Sequence, residues 1–197
     1  MRAMSTGAAG GPLRILVAVC LLVISTTALA GTSVPPALRA AIILRSAGYE
    51  RAFAERAGDA VIAVVHQKSG PSAEDGAAMA AVFSKLLKET KVAGRKGRIV
   101  QIVHESGAST AAELKAQRAE LVYFAIGLEG AMASIPAREG SISRILVCGN
   151  GAGTAQGCTL GVELDGARPR IVLNMKEANA AGLRFDPGLL RLARIVR

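Results

Sequence analysis

The stretch AVIAVV, Ala60 to Val65, is an unbroken apolar run between Gly58-Asp59 and Gly70-Pro71. A run this short, with no polar alternate face, is the pattern of a strand buried on both sides, as in a parallel sheet covered by helices. Three more runs read as strands: RIVQIV (Arg98 to Val103), ELVYFAI (Glu120 to Ile126) and SRILVC (Ser143 to Cys148). The segments between them carry helical spacing. Met79, Val82, Phe83, Leu86 and Leu87 form one apolar set behind an expected cap at Ser72, with Asp75 three positions on. Ser109 or Thr110 is the expected cap of a helix running to about Arg118, and Gly127 to Arg138 reads as a short helix. Upstream, Ala37 to Ala57 reads as one helix with Gly48 as its weak point. Strands alternating with helices predict an α/β fold: a mostly parallel sheet flanked by helices.

The tail breaks this rhythm. CTLGVELD (Cys158 to Asp165) and RPRIVLN (Arg168 to Asn174) flank Asp165-Gly166, a hairpin signal. This predicts a C-terminal antiparallel hairpin at the edge of the parallel sheet. Two terminal helices follow. Lys176 to Ala181 is closed by Gly182, and Pro187 to Ile195 is capped by Asp186, with Leu189, Leu190, Leu192 and Ala193 facing inward.

Residues 1–30 read as a signal peptide. Arg2 and Arg14 make a basic n-region, Ile15 to Leu22 and its continuation to Leu29 an apolar h-region, and Ala28-Leu29-Ala30 a small-x-small cleavage site. Cleavage leaves residues 31–197 as a single domain. Its formal charge falls from +9 to +7, because the segment carries two arginines and no acid. It keeps Cys148 and Cys158 in a compartment that permits disulfides, and the expected location is the periplasm.

Composition narrows the function. Aromatic residues are 3% of the chain and Trp is absent, which argues against a stacking platform for nucleic acid. Two His and three Cys are too few for most zinc sites or any iron–sulfur protein, so no metal or cofactor is expected. Lys85, Lys88, Lys91, Arg95, Lys96 and Arg98 cluster at the expected end of a helix. A solvated helix end explains them most simply, and an anionic membrane or protein partner is the alternative.

The closing stretch carries a family resemblance. Ile171-Val-Leu-Asn174 leads into Met-Lys-Glu-Ala178-Asn-Ala-Ala181-Gly182-Leu183, and Leu189-Leu190-Arg-Leu192-Ala193 follows. This resembles the YfiR-like family of exported bacterial proteins over about residues 145–196. The resemblance implies a non-enzymatic regulator that binds the periplasmic domain of a membrane signalling protein, a diguanylate cyclase or a sensor kinase. The chain lacks the Trp and aromatic cluster common after the first helix of that family.

Several residues are candidates for chemistry or contact. Cys148 and Cys158 read as a structural disulfide closing the Gly-rich loop GNGAGTAQG, with a redox switch or a metal pair as alternatives. The resemblance also includes a bridge in about this place. His66 and His104 each follow a predicted strand, where ligands bind in open α/β sheets, and Glu105 stands beside His104. These three are candidate ligand or partner contacts. No Gly-x-Ser-x-Gly elbow completes a triad, and no catalytic residue is assigned. Leu189 and Leu190 are candidate contacts for a partner or for a second copy in a homodimer. The competing function is a small periplasmic solute-binding protein.

Overall fold

The computed structural model describes residues 33–196. The expected signal peptide lies outside the described residues. Pro36 opens helix α1 (Pro36–Ala47), its fixed φ suiting the first helical position. The chain breaks at Gly48 and starts again as α2 (Arg51–Glu55), where the Glu50 side chain accepts from the Phe53 amide at 2.6 Å. The single helix expected over 37–57 is therefore two, divided at the predicted weak point.

Strand β1 (Ala60–His66) leads to α3 (Pro71–Glu89), β2 (Gly97–Val103), α4 (Gly107–Ala116) and β3 (Leu121–Phe124). A 3-10 turn (Glu129–Ser134) and a two-residue hairpin, β4 (Arg138–Glu139) and β5 (Ile142–Ser143), replace the short helix expected at 127–138. Then come β6 (Ile145–Cys148), a second 3-10 turn (Ala152–Gln156), β7 (Leu160–Asp165), β8 (Arg168–Asn174), α5 (Met175–Ala180), α6 (Pro187–Leu192) and β9 (Ala193–Val196).

The main sheet has the order β2-β1-β3-β6-β7-β8-β9. Its first five strands are parallel neighbours, and β8 runs antiparallel to β7. The hairpin is present as predicted, with Gly166 in its turn at φ +61°. It is not the edge. The helix expected to reach Ile195 stops at Leu192, and Ala193–Val196 pairs in parallel with β8 from Ile171↔Ala193 to Asn174↔Val196. The β-branched Ile195-Val196 pair suits an extended strand, and the free edge of β8 supplies the backbone partners a last helical turn would lack.

Two cores form on opposite faces of this sheet. Ala60, Ile62 and Val64 of β1 join Ile43, Met79, Phe83, Leu121, Tyr123 and Leu189 on one face. Val61, Ala63 and Val65 join Ile102, Leu114, Val122, Phe124 and Met132 on the other. Successive side chains point to opposite faces, so a strand covered on both must be apolar throughout.

Two expected caps are relocated. Ser72 lies inside α3, which begins at Gly70-Pro71, and its hydroxyl accepts from the Gln67 amide at 3.2 Å. The cap of α4 is Ser106, whose hydroxyl accepts from the Ser109 amide while the Ser109 hydroxyl answers the Ser106 amide.

Candidate functional site

In the order 2-1-3, chain direction across the sheet reverses between β1 and β3. Open α/β sheets bind ligands outside the carboxyl ends of the strands at such a reversal. Here that position is filled by the protein itself. Asp75, in the second turn of α3, accepts from the Tyr123 hydroxyl at 2.6 Å and from the Ile126 amide at 3.0 Å. Its other oxygen pairs with the Arg39 guanidinium. Arg39 comes from α1, is 1% exposed, and also donates to the Gly149 carbonyl at 2.8 Å. Its guanidinium carbon lies 5.6 Å from the centroid of the Tyr123 ring, and Phe83 meets that ring edge-on at 6.1 Å.

A buried arginine costs several kcal/mol of desolvation unless fully paired. Asp75 and the Gly149 carbonyl satisfy its terminal nitrogens, while Nε has no partner. Burial pushes the Tyr123 phenol well above its ordinary value, and the Asp75 carboxylate adds to the rise while Arg39 opposes it. The cluster ties α1, α3, the end of β3 and the start of the loop after β6 into one unit. Asp75, expected only as a weak capping partner, is its centre.

The loop that begins at Gly149 is closed by a disulfide between Cys148 and Cys158, with Cα atoms 5.9 Å apart. Both cysteines are buried, and the Met132 thioether lies against their sulfurs at 3.1 and 2.9 Å. A disulfide has no S–H, so this is sulfur–sulfur contact and not hydrogen bonding. The loop has no aliphatic side chain larger than Ala to hold it by packing, and hydrogen bonds hold it instead. Asn150 donates to Glu129 at 2.7 Å and accepts from the Gly153 amide at 3.0 Å. Asn174 donates to the Thr154 carbonyl at 2.7 Å, and Thr154 is buried. Gly153 is required by close approach, since a Cβ there would stand 2.3 Å from the Cys148 sulfur.

Of the other singled-out residues, His66 and His104 meet through the backbone at neighbouring strand ends. His66, half-buried at the end of β1, has Nδ1 2.7 Å from the Gln67 carbonyl. His104 donates its amide to the His66 carbonyl at 2.7 Å, and its Nδ1 lies 2.9 Å from the Thr110 hydroxyl. Its ring therefore bonds Thr110 rather than Glu105, which is exposed. Leu189 is fully buried and Leu190 packs half-buried on the same core, so Leu189 is a core residue and not a contact surface. Leu192, expected to face inward, is 64% exposed. Among the described residues, no group of three or more His, Cys, Asp or Glu is placed to hold a metal ion.

A second buried ion cluster sits at the amino ends of the strands. Arg95, grouped above with the solvated basic residues, is buried and binds Glu120 through both terminal nitrogens, at 2.6 and 3.0 Å. It also donates to the carbonyls of Phe53, Gly58 and Asp59. Charge patterning alone could not separate Arg95 from its neighbours. The sole sequence hint is Glu120, an acid at the mouth of an apolar strand.

The fold is thus a doubly covered, mostly parallel α/β domain in which the Arg39–Asp75–Tyr123 cluster spans the carboxyl ends of β1 and β3. Residues 36–194 match the protein family described as YfiR/HmsC-like, and this chain belongs to that family. No curated protein sequence matches it. Among solved structures it is similar to an ABC domain in complex with L-Trp from Streptococcus pneumonia, at 13% identity and a TM-score of 0.53 over 83% of this chain and 62% of that one. It is also similar to a conserved domain protein from Vibrio cholerae O1 biovar eltor, at 13% identity and a TM-score of 0.51 over 83% of this chain and 60% of that one. The chain spans about three fifths of each of these proteins, and at such identity the likeness is one of fold. Among the described residues, no helix is long and apolar enough to cross a membrane.

Proposed function

We propose that this chain is an exported regulator that docks on the external domain of a membrane signalling protein, a diguanylate cyclase or a sensor kinase, and sets its output without chemistry of its own. Family membership supports the regulatory class. The observation that carries the mode of action is the Arg39–Asp75–Tyr123 cluster. It occupies the crevice that a small-ligand protein of this topology keeps open, so that position offers no room for a small ligand. The same cluster weighs against the solute-binding alternative. Residues 1–30 act in this reading as the export signal, and the bridge at Cys148–Cys158 suits an oxidising compartment.

Regulation then works by differential affinity. A regulator that binds two partner conformations equally shifts nothing, whereas about 5.5 kcal/mol of preference moves a two-state equilibrium from 1:99 to 99:1. The test is deletion of the gene in its host, with cellular cyclic di-GMP and sensor-kinase phosphorylation as readouts. One of the two changes on deletion and returns when the exported chain is restored, but not when a chain lacking residues 1–30 is supplied. No change in either readout overturns the proposal.

A further inference from the structure

A groove of about 410 Å³ lies between α1 and the C-terminal part of α3. Ala41 and Leu44 on one side and Leu86 and Ala93 on the other give it apolar walls, and Arg45 and Lys91 stand at its rim. Leu38, one turn before Ala41, is 43% exposed and extends the apolar strip along α1. Lys85, Lys88 and Lys96 are exposed elsewhere on α3 and the loop after it, Lys88 on the opposite flank of α3 beside Gly97 and Ile99. Among the described residues none of Arg45, Lys85, Lys88, Lys91 or Lys96 has an ion-pair partner, and the single acid in residues 85–98 is Glu89. Arg95, the one member of the basic cluster that is neutralised, is turned into the fold by Glu120. What remains is an apolar cleft between two helices, with Arg45 and Lys91 as the unpaired cations in its lining.

We infer that this groove is where the regulated partner docks, and that its occupant is an acidic, amphipathic segment of that partner's external domain. The inference rests on the proposed function and names the surface it uses. Charge complementarity selects the acid: the unpaired Arg45 and Lys91 steer an anionic segment into place and make its capture salt-sensitive. Shape selects a protein segment over a bilayer. The apolar atoms line a concavity, which a Leu- or Phe-sized side chain of a partner helix enters and which a flat lipid surface does not fill.

The test uses the full chain expressed in its host. A benzophenone amino acid replaces Ala41 in the groove or, for comparison, Arg191 in α6. After irradiation, the crosslinked peptide is identified by mass spectrometry. The expected result is an adduct at position 41 with an acidic, apolar segment of a membrane signalling protein. That adduct falls at least tenfold in an Arg45→Glu/Lys91→Glu chain whose melting temperature is unchanged, while position 191 gives little. Capture of the same signalling protein through position 191 and not 41 overturns the docking site and leaves the proposed function standing. A second copy of this chain, or phosphatidylglycerol, as the adduct at position 41 overturns the site in favour of a dimer or a lipid surface. Capture of no membrane signalling protein at either position overturns both readings.

Discussion

Arg39 and Asp75, 36 residues apart in sequence, meet as an ion pair at the carboxyl ends of β1 and β3. Each is held by further bonds: Arg39 to the Gly149 carbonyl, Asp75 to Tyr123 and the Ile126 amide. The pair is therefore a fastening between elements.

Asp75→Ala removes the counter-charge and leaves a buried guanidinium, the Tyr123 hydroxyl and the Ile126 amide without their acceptor. Removing one partner of a buried pair costs roughly 3–5 kcal/mol. Urea unfolding should show this loss, and the Asp75→Ala/Arg39→Met double variant should lose less than the two single changes together. Additive losses contradict the coupling.

The raised Tyr123 phenol has a signed consequence for pH. Its proton is held more tightly in the folded than in the unfolded chain. The stability it contributes is complete below the ordinary tyrosine value near 10 and is lost as pH rises above it towards the folded value. In a Tyr49→Phe chain, where Tyr123 is the remaining tyrosine, phenolate absorbance should appear together with alkaline unfolding. A smooth titration with tertiary structure intact contradicts the burial.

Glu139 shifts the other way, because bonds from Arg144 and then Lys115 hold its carboxyl below the usual range. Its contribution is present above the ordinary carboxylate range and lost as pH falls through the lowered folded value. Glu139→Gln should flatten the acid limb of a melting-temperature profile, and an unchanged limb contradicts the assignment.

Arg95→Lys should behave as a severe change. Lysine cannot reproduce the two-pronged contact with Glu120 or the three carbonyl bonds. The expected loss, on the order of 2–4 kcal/mol from a buried charged bond left unmade, is read by urea unfolding. A loss near zero would place Arg95 back with the solvated lysines.

Cys158→Ser opens a covalent loop whose ends are 10 residues apart. Chain entropy gives a loss of roughly 2–3 kcal/mol for a loop of that size. Because both sulfurs are buried, thiol reagents should reduce the bridge only when denaturant opens the fold. Rapid reduction of the native chain would favour a switch over a staple.

The layered fold was legible because its central strands β1 and β3 are buried on both faces, which writes AVIAVV and LVYF as plain apolar runs. The hairpin was legible in Asp165-Gly166. The last strand was not, since Leu189, Leu190, Leu192 and Ala193 have helical spacing and only the free edge of β8 turns Ala193–Val196 into a strand. The central cluster was hidden for another reason. Arg39, Asp75 and Tyr123 come from three separate elements, and each alone reads as an ordinary helix or strand residue. Arg95 shows the same limit, as burial of one cation among six is decided by a distant glutamate.

The most direct test of the account is co-purification of the tagged full chain from native membranes under oxidising and reducing conditions. The account predicts one dominant membrane partner carrying a cyclase or kinase domain, present whenever the Cys148–Cys158 bridge is intact. Recovery of the chain free of any membrane protein under both conditions, or with a permease alone, would contradict it.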